Sequence, residues 1–224
     1  MGKIVSKRIV HPEMGARQIT LNYSPSVAGH EFSQHVHDTS DDTIVLFKGQ
    51  ADLRQGDSRH RFKAGQSVFV PAGQIHGTIT MEDGTEMISF QTPPDTALYT
   101  GSRDSSKAGA APPKGSITPG AVKYVNFSDK NGLFMHPGTG AQRIAAGYRR
   151  MAPGESFSQS VGAGTEAVVF VRQGAVQALV GGKPEKAGER DAVFVQGPAK
   201  LELRNASSAE AIVVHALAPP QRGQ

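Results

Sequence analysis

The chain has 224 residues, no cysteine, and a net charge of +4 from 24 basic and 20 acidic side chains. That length allows one large domain or two small ones, and the missing cysteines exclude disulfides, thiolate metal ligands and cysteine nucleophiles together. The basic residues are scattered rather than gathered into a tract, which argues against a nucleic-acid partner, and no run of eighteen apolar residues offers a membrane-spanning helix.

The 26 glycines and 14 prolines point to many turns and short strands. From Met1 to Arg8 the chain reads MGKIVSKR, with no apolar stretch of signal-peptide length after it, so the expected location is the cytoplasm. Thr43 to Phe47 is a continuous apolar run ended by Lys48-Gly49, and Ala51 to Arg54 alternates before a Gly56-Asp57 turn. Ser67 to Val70 stops at Pro71, Thr78 to Met81 alternates, Asp83-Gly84 marks a hairpin, and Met87 to Phe90 returns. Residues 101–120, GSRDSSKAGAAPPKGSITPG, have no apolar period and read as a linker, with the boundary near residue 110. Beyond it the runs Ala167 to Val171, Ala175 to Val180, Ala192 to Val195 and Ala211 to Val214 again read as strands.

The two halves are copies. Tyr23 to Gln34 reads YSPSVAGHEFSQ, and Tyr148 to Gln159 reads YRRMAPGESFSQ. The same offset carries Gly49 onto Gly174 and Val68-Phe69-Val70 onto Val193-Phe194-Val195. Short strands at regular spacing, twice over, predict an all-β chain of two tandem jelly-roll barrels packed together. The expected division is 1–105, a linker over 106–120, and 121–224.

Candidate chemistry lies in the first copy. His35 and His37 are two apart, so on a strand they share a face and can converge on one ion. His76, after Pro71-Ala-Gly73-Gln-Ile, starts a strand that can lie beside them. A carboxylate from Asp41 or Asp42 would be the fourth ligand. Imidazole and carboxylate without thiolate suit Fe(II), Mn(II), Ni(II), Cu(II) or Zn(II).

Gly29 to Gly49 resembles the first motif of the cupins: glycine, five residues, His-x-His, a short gap, an acid, six residues, glycine. Gly65 to His76 resembles the second: glycine, five residues, Pro-x-Gly, two residues, histidine. With the repeat, the whole chain resembles a bicupin whose metal site is in the N-terminal copy. The resemblance implies Glu as the acid, where this chain has Asp. Spacing to Gly49 favours Asp42, the repeat favours Asp41 because it lands on Glu166, and a site with neither is a three-histidine centre. An unligated Asp41 or Asp42 would serve as the base that ionises the substrate. In the second copy Ser160, Gly162 and Leu201 replace the histidines, which predicts a metal-free barrel. His11, His30, His60, His136 and His215 fit no ligand spacing, and Tyr23, Phe32, Gln34 and Gln91 are candidate barrel-lining residues.

The expected activity is that of a metal-dependent enzyme, an Fe(II) dioxygenase acting on a small enol, diketone or phenol. The alternatives are a non-redox isomerase, lyase or decarboxylase and a small-molecule-binding cupin without catalysis. No phosphate-binding glycine loop points to an organic cofactor. The expected partner is a small-molecule substrate, with self-association into a homo-oligomer left open.

Overall fold

The computed structural model describes residues 2–99, 114–127 and 130–221. The expected linker lies for the most part outside these. Two compact units form, Met1–Arg8 with Thr20–Asn126, and Ile9–Ile19 with Phe127–Gln224. This departs from the sequence division in two places: residues 121–126 join the first unit, and residues 9–19 join the second.

In the first unit the strands are β1 (Lys7–Val10, of which Lys7 and Arg8 belong to this unit), β2 (Thr20–Ser26), β3 (Glu31–His35), β4 (Asp41–Lys48), β5 (Gln50–Gln55), β6 (Ser58–Lys63), β7 (Gln66–Val70), β8 (His76–Thr80), β9 (Thr85–Thr92) and β10 (Lys123–Asn126). They form a six-stranded sheet in the order β1-β2-β9-β4-β7-β10 and a four-stranded sheet in the order β3-β8-β5-β6. Strand β10 pairs antiparallel with β7, Tyr124 opposite Val68, and so completes the sheet beyond the linker. The period-two alternation of β4 and β5 turns Ile44, Leu46, Ala51 and Leu53 to one interior, where they pack with Phe62, Val68 and Val70. Phe62, Leu46 and Leu53 are wholly buried there.

The second unit repeats this plan with β11 (Gly132–Met135), β12 (Ala145–Met151), β13 (Ser156–Val161), β14 (Glu166–Gln173), β15 (Val176–Val180), β16 (Lys183–Ala187), β17 (Ala192–Gln196), β18 (Ala199–Arg204) and β19 (Ala211–Ala218). Its sheets run β11-β12-β19-β14-β17 and β13-β18-β15-β16. Among the described residues helix is confined to single turns, including the 3-10 turns Pro12–Met14 and Pro137–Thr139. These two turns are themselves repeat partners. His11 and His136 are their N-caps, and Gly15 and Gly140 end them in the left-handed region. The repeat therefore does account for His11 and His136, as turn residues.

Antiparallel register aligns the wall facing the first unit's interior in rows. Thr20, Gln91, Asp42 and Val70 form one row, and Asn22, Ser89, Ile44 and Val68 the next. The matching rows of the second unit are Ala145, Leu217, Ala167 and Val195, then Gly147, His215, Val169 and Val193. The barrels share a backbone plan and differ in what fills them.

Candidate metal centre

His35, His37, Asp42 and His76 each place one ligand atom within 4.8 Å of all the others. All four are at most 6 % exposed. The rings of His35 and His76 are 4.3 Å apart, and those of His35 and His37 are 4.7 Å apart.

The local backbone explains the convergence. His35 ends β3 and stands opposite His76, the first residue of β8. Between Phe32, opposite Thr78, and His35, opposite His76, the register shifts, because Ser33 and Gln34 together face Gly77 alone. This is a β-bulge, which re-aims the side chain that follows it. It requires glycine at 77, where a Cβ would stand 2.8 Å from the Phe32 carbonyl oxygen and 2.9 Å from the Gln34 nitrogen. The homologous pair β13 and β18 has no shift: Gln159 faces Leu201 and Ser160 faces Lys200. The second copy has thus lost the bulge together with the histidines. The turn before His76 is clamped from two sides. Ala72 N–H donates to Asp41 Oδ1 at 2.9 Å, and Gly73 N–H donates to the His37 carbonyl at 2.7 Å.

Each imidazole is held at its far nitrogen. His35 Nδ1 donates to the Ser33 carbonyl at 2.8 Å, and His76 Nδ1 to the Gln74 carbonyl at 3.1 Å. His37 Nδ1 donates to Asp95 Oδ2 at 2.8 Å. Carbonyls only accept and the carboxylate accepts as well, so these contacts put the proton of a neutral ring on Nδ1. Every Nε2 then presents a lone pair. His35 Nε2 and His37 Nε2 are 3.1 Å apart, and His76 Nε2 is 3.4 Å from Asp42 Oδ2. Lone pairs aimed at one another repel unless a positive charge stands among them. Asp42 Oδ1 is buried without a hydrogen-bond partner, which a cation or a substrate proton would relieve. The donor set fits a divalent transition metal.

Asp41 and Asp42 begin β4, so their side chains leave on opposite faces. Asp42 joins the histidines, while Asp41 is taken up by the Ala72 clamp. Glu166 pairs with Ala218 as Asp41 pairs with Thr92, so the repeat equates Glu166 with Asp41 and not with the cluster. Its carboxylate accepts the backbone N–H groups of Arg17, Gln18 and Ile19 at 2.8–3.2 Å, and the Gln196 amide at 3.2 Å. What the repeat preserves at this position is a structural carboxylate, so Glu166 is no remnant of a metal site.

A cavity of about 240 Å³ opens on His35, Asp42 and His76. Phe32, Ile44 and Met87 give it an apolar side, and Asn22, Ser24, Ser89 and Gln91 a polar one. Of the candidate lining residues, Phe32 and Gln91 face it; Gln34 instead bonds both backbone groups of Gly56. Sequence reading missed Asp95, which no motif spacing marks, and the N-terminal residues Ile4, Ser6 and Arg8, which alternate along one cavity wall.

In the second unit the cavity rows are filled. His215 stands where Ser89 does, Leu217 where Gln91 does, and Ala167 where Asp42 does. His215 lies 4.9 Å from Phe157, with Arg149 over the other ring at 4.4 Å. Burial, aided by the Arg149 charge, lowers its pKa to about 4.

Residues 27–89 match the family model of the cupin domain. This stretch is a cupin domain. No curated protein matches the chain by sequence. Among solved structures it resembles the protein Ylba from E. coli, at 8 % identity and TM-score 0.73, covering 98 % of this chain and 84 % of that one. It also resembles the oxalate decarboxylase of Lactobacillus farciminis in its formate complex, at 13 % identity and TM-score 0.72, covering 99 % and 83 %. A serine-to-alanine mutant of Bacillus subtilis oxalate decarboxylase aligns at 12 % identity and TM-score 0.68, covering 96 % and 73 %. Over the whole chain these structures share its all-β fold of two jelly-roll units, and the four-residue cluster could hold a divalent metal. Among the described residues no helix is long and apolar enough to cross a membrane.

Proposed function

We propose that the first unit is a metalloenzyme for a small, oxygen-rich substrate, with one divalent transition metal held by His35, His37, His76 and Asp42. The observation that carries this is the convergence of three Nε2 lone pairs and a carboxylate beside a partly open cavity, which His35, His76 and Asp42 line. At about 240 Å³ the cavity lies just below the usual range of small-molecule pockets, which favours a compact substrate. Bound there, the metal supplies Lewis acidity and, as iron(II), the redox chemistry of a dioxygenase.

The chain's own groups do the rest. Asp95 fixes the tautomer and ring direction of His37. Asp42 ligates through Oδ2 and accepts the acidic proton of an enol, diketone or phenol at Oδ1, the buried oxygen without a partner. Gln91, in the same row as Asp42, orients the substrate through its amide. Phe32, Ile44 and Met87 exclude water and cover the carbon skeleton.

A second reading, a non-redox decarboxylase, lyase or isomerase on manganese, nickel or zinc, draws support from the oxalate decarboxylases among the neighbours, one of which is described with Mn(II) centres. Metal analysis of protein purified without added metal, followed by oxygen-electrode assays on enols, 1,3-diketones and catechols, tests both. Oxygen uptake that disappears in His76→Ala supports the dioxygenase. Turnover without oxygen uptake moves the assignment to the second reading. Tight binding without any turnover makes the protein a binding cupin.

A further inference from the structure

We propose that residues 114–118 form a strap that positions His76 for the metal, and that Gln74 is the positioning residue through which the strap acts. The inference rests on the metalloenzyme reading above and adds to it a stretch of chain that holds no ligand. These residues read KGSIT and fall within the expected linker, yet in the fold they belong to the first unit.

The strap runs beside the turn that leads into His76. Ser116 N–H donates to the Gly73 carbonyl at 2.8 Å, and Ile75 N–H donates to the Ser116 carbonyl at 2.9 Å. Between them the buried Gln74 side chain binds Thr118 twice. Thr118 N–H donates to Gln74 Oε1 at 2.8 Å, and Gln74 Nε2 donates to Thr118 Oγ1 at 3.2 Å. The carbonyl of the same Gln74 receives the Nδ1 proton of His76. One residue therefore holds the strap with its side chain and the ligand ring with its backbone. The Ala72 and Gly73 clamps secure the start of this turn. The strap secures its end, where Gln74 N–H reaches the Pro71 carbonyl only at 3.3 Å. A ligand ring must keep one direction to stay on its ion, and the group that fixes its far nitrogen sets that direction.

Gly115 seats the strap. A Cβ there would stand 2.5 Å from Val36 Cγ2, 2.9 Å from the Gly73 carbonyl oxygen and 3.1 Å from Ile75 Cγ1. Val36 directly precedes His37 and Ile75 directly precedes His76, so the strap bears on the neighbours of two ligands at once. The repeat supplies an internal control. Its constant offset puts Ala199 at the place of Gln74. The copy whose histidines are replaced also lacks the side chain that grips the strap.

The test is Co(II) binding by full-length wild-type, Q74M, G115A and T118S protein. Affinity is read by competition with a fluorescent chelator, ring placement by the visible spectrum of the bound Co(II), and stability by the urea midpoint. Q74M keeps the length of the side chain and removes both bonds to Thr118. It is expected to bind Co(II) roughly 10- to 100-fold more weakly than wild type, with a changed spectrum. Its midpoint should stay near that of wild type, because Thr118 is exposed and water takes over its bonds. G115A should lose affinity as well, and answers if Q74M fails to fold. T118S keeps the hydroxyl and should match wild type. Unchanged affinity and spectrum in folded Q74M overturn the inference, whatever the midpoint does. If wild type takes up no Co(II), the metalloenzyme reading fails, and the strap is judged on the metal-free protein by nitrogen NMR of the imidazoles. His76 should then carry its proton on Nδ1 in wild type and share it between both nitrogens in Q74M. An unaltered Nδ1 proton in Q74M overturns the inference on that arm.

Discussion

His35 faces His76 because two residues of β3, Ser33 and Gln34, bulge out against Gly77 of β8. Remove the bulge and the register of the second unit results, in which Gln159, the counterpart of Gln34, takes the facing position opposite Leu201. Gly77→Ala should therefore strike the metal centre without touching a ligand. Its Cβ would press on backbone atoms at under 3 Å, which cannot yield as a flexible side chain would. The expected result is metal affinity reduced at least tenfold, read by competition with a fluorescent chelator. Unchanged affinity in a folded variant would show that the bulge is incidental.

Metal content should be about one equivalent per chain. Titration with Fe(II) or Mn(II) under anaerobic conditions should saturate at one, and His76→Ala should remove most of the affinity while the circular dichroism spectrum stays β-type. Two equivalents lost in parallel to a chelator would contradict the asymmetry between the copies.

The two aspartates should separate cleanly. Asp42→Ala is expected to weaken metal binding strongly, since Asp42 belongs to the cluster. Asp41→Ala should leave an Ala72 N–H without its acceptor and cost about 1–3 kcal/mol of stability, with a smaller effect on metal. Comparing metal affinity and urea midpoint for both variants decides this. A reversal of the two effects would mean that the faces of β4 have been misassigned.

His215 should make the second unit acid-sensitive. Its folded pKa, about 4, lies below the unfolded value of 6.5, so between those values the unfolded chain binds more protons than the folded one. The stability this group confers by staying neutral is fully present above pH 6.5, declines as pH falls to about 4, and changes no further below that. The total is on the order of 3 kcal/mol. Urea unfolding at pH 7, 5.5 and 4.5 should show the loss, and His215→Leu should flatten the slope. An identical slope in the variant would assign the acid sensitivity to other groups.

Glu166→Ala should destabilise the second unit by about 2–4 kcal/mol, because three backbone N–H groups lose a charged acceptor. Glu166→Gln should cost less. Chemical denaturation followed by tyrosine fluorescence measures both. A neutral Glu166→Ala would mean that water satisfies those donors.

The sequence carried the barrels well, because strand alternation and the repeat are local or periodic signals. Leu53 could be assigned to an interior from its alternation, whereas the continuous apolar run Thr43 to Phe47 indicates burial without saying which face meets which interior. His35, His37 and His76 were legible because strand periodicity and a Pro-x-Gly turn dictate where they go. The choice between Asp41 and Asp42 was not, since adjacent residues at the head of a strand differ only in the face they take, and register decides that. The repeat pointed to Asp41 for a sound reason that concerned structure instead of ligation: Glu166 and Asp41 both hold backbone N–H groups. Asp95 reaches its place through a tertiary contact that leaves no periodic trace. His215 looked unplaced because the second copy carries one extra residue before its end, so that Ala218-Pro219-Pro220 aligns with Thr92-Pro93-Pro94 at an offset one larger than elsewhere.

The grip of Glu166 on residues 17–19 also sets an order of events during synthesis. Their acceptor leaves the ribosome 147–149 positions after them. At typical elongation rates of 5–20 residues per second the early segment waits roughly 7–30 s for its partner. The first barrel can close around its cavity in that interval, because its strands are complete by Asn126. The second cannot finish until translation is well advanced, and it then needs a piece of chain made before strands β2 to β10 of the first barrel. Splitting the gene at the linker would deprive the later half of that piece, whereas supplying residues 9–19 as a separate peptide should restore it.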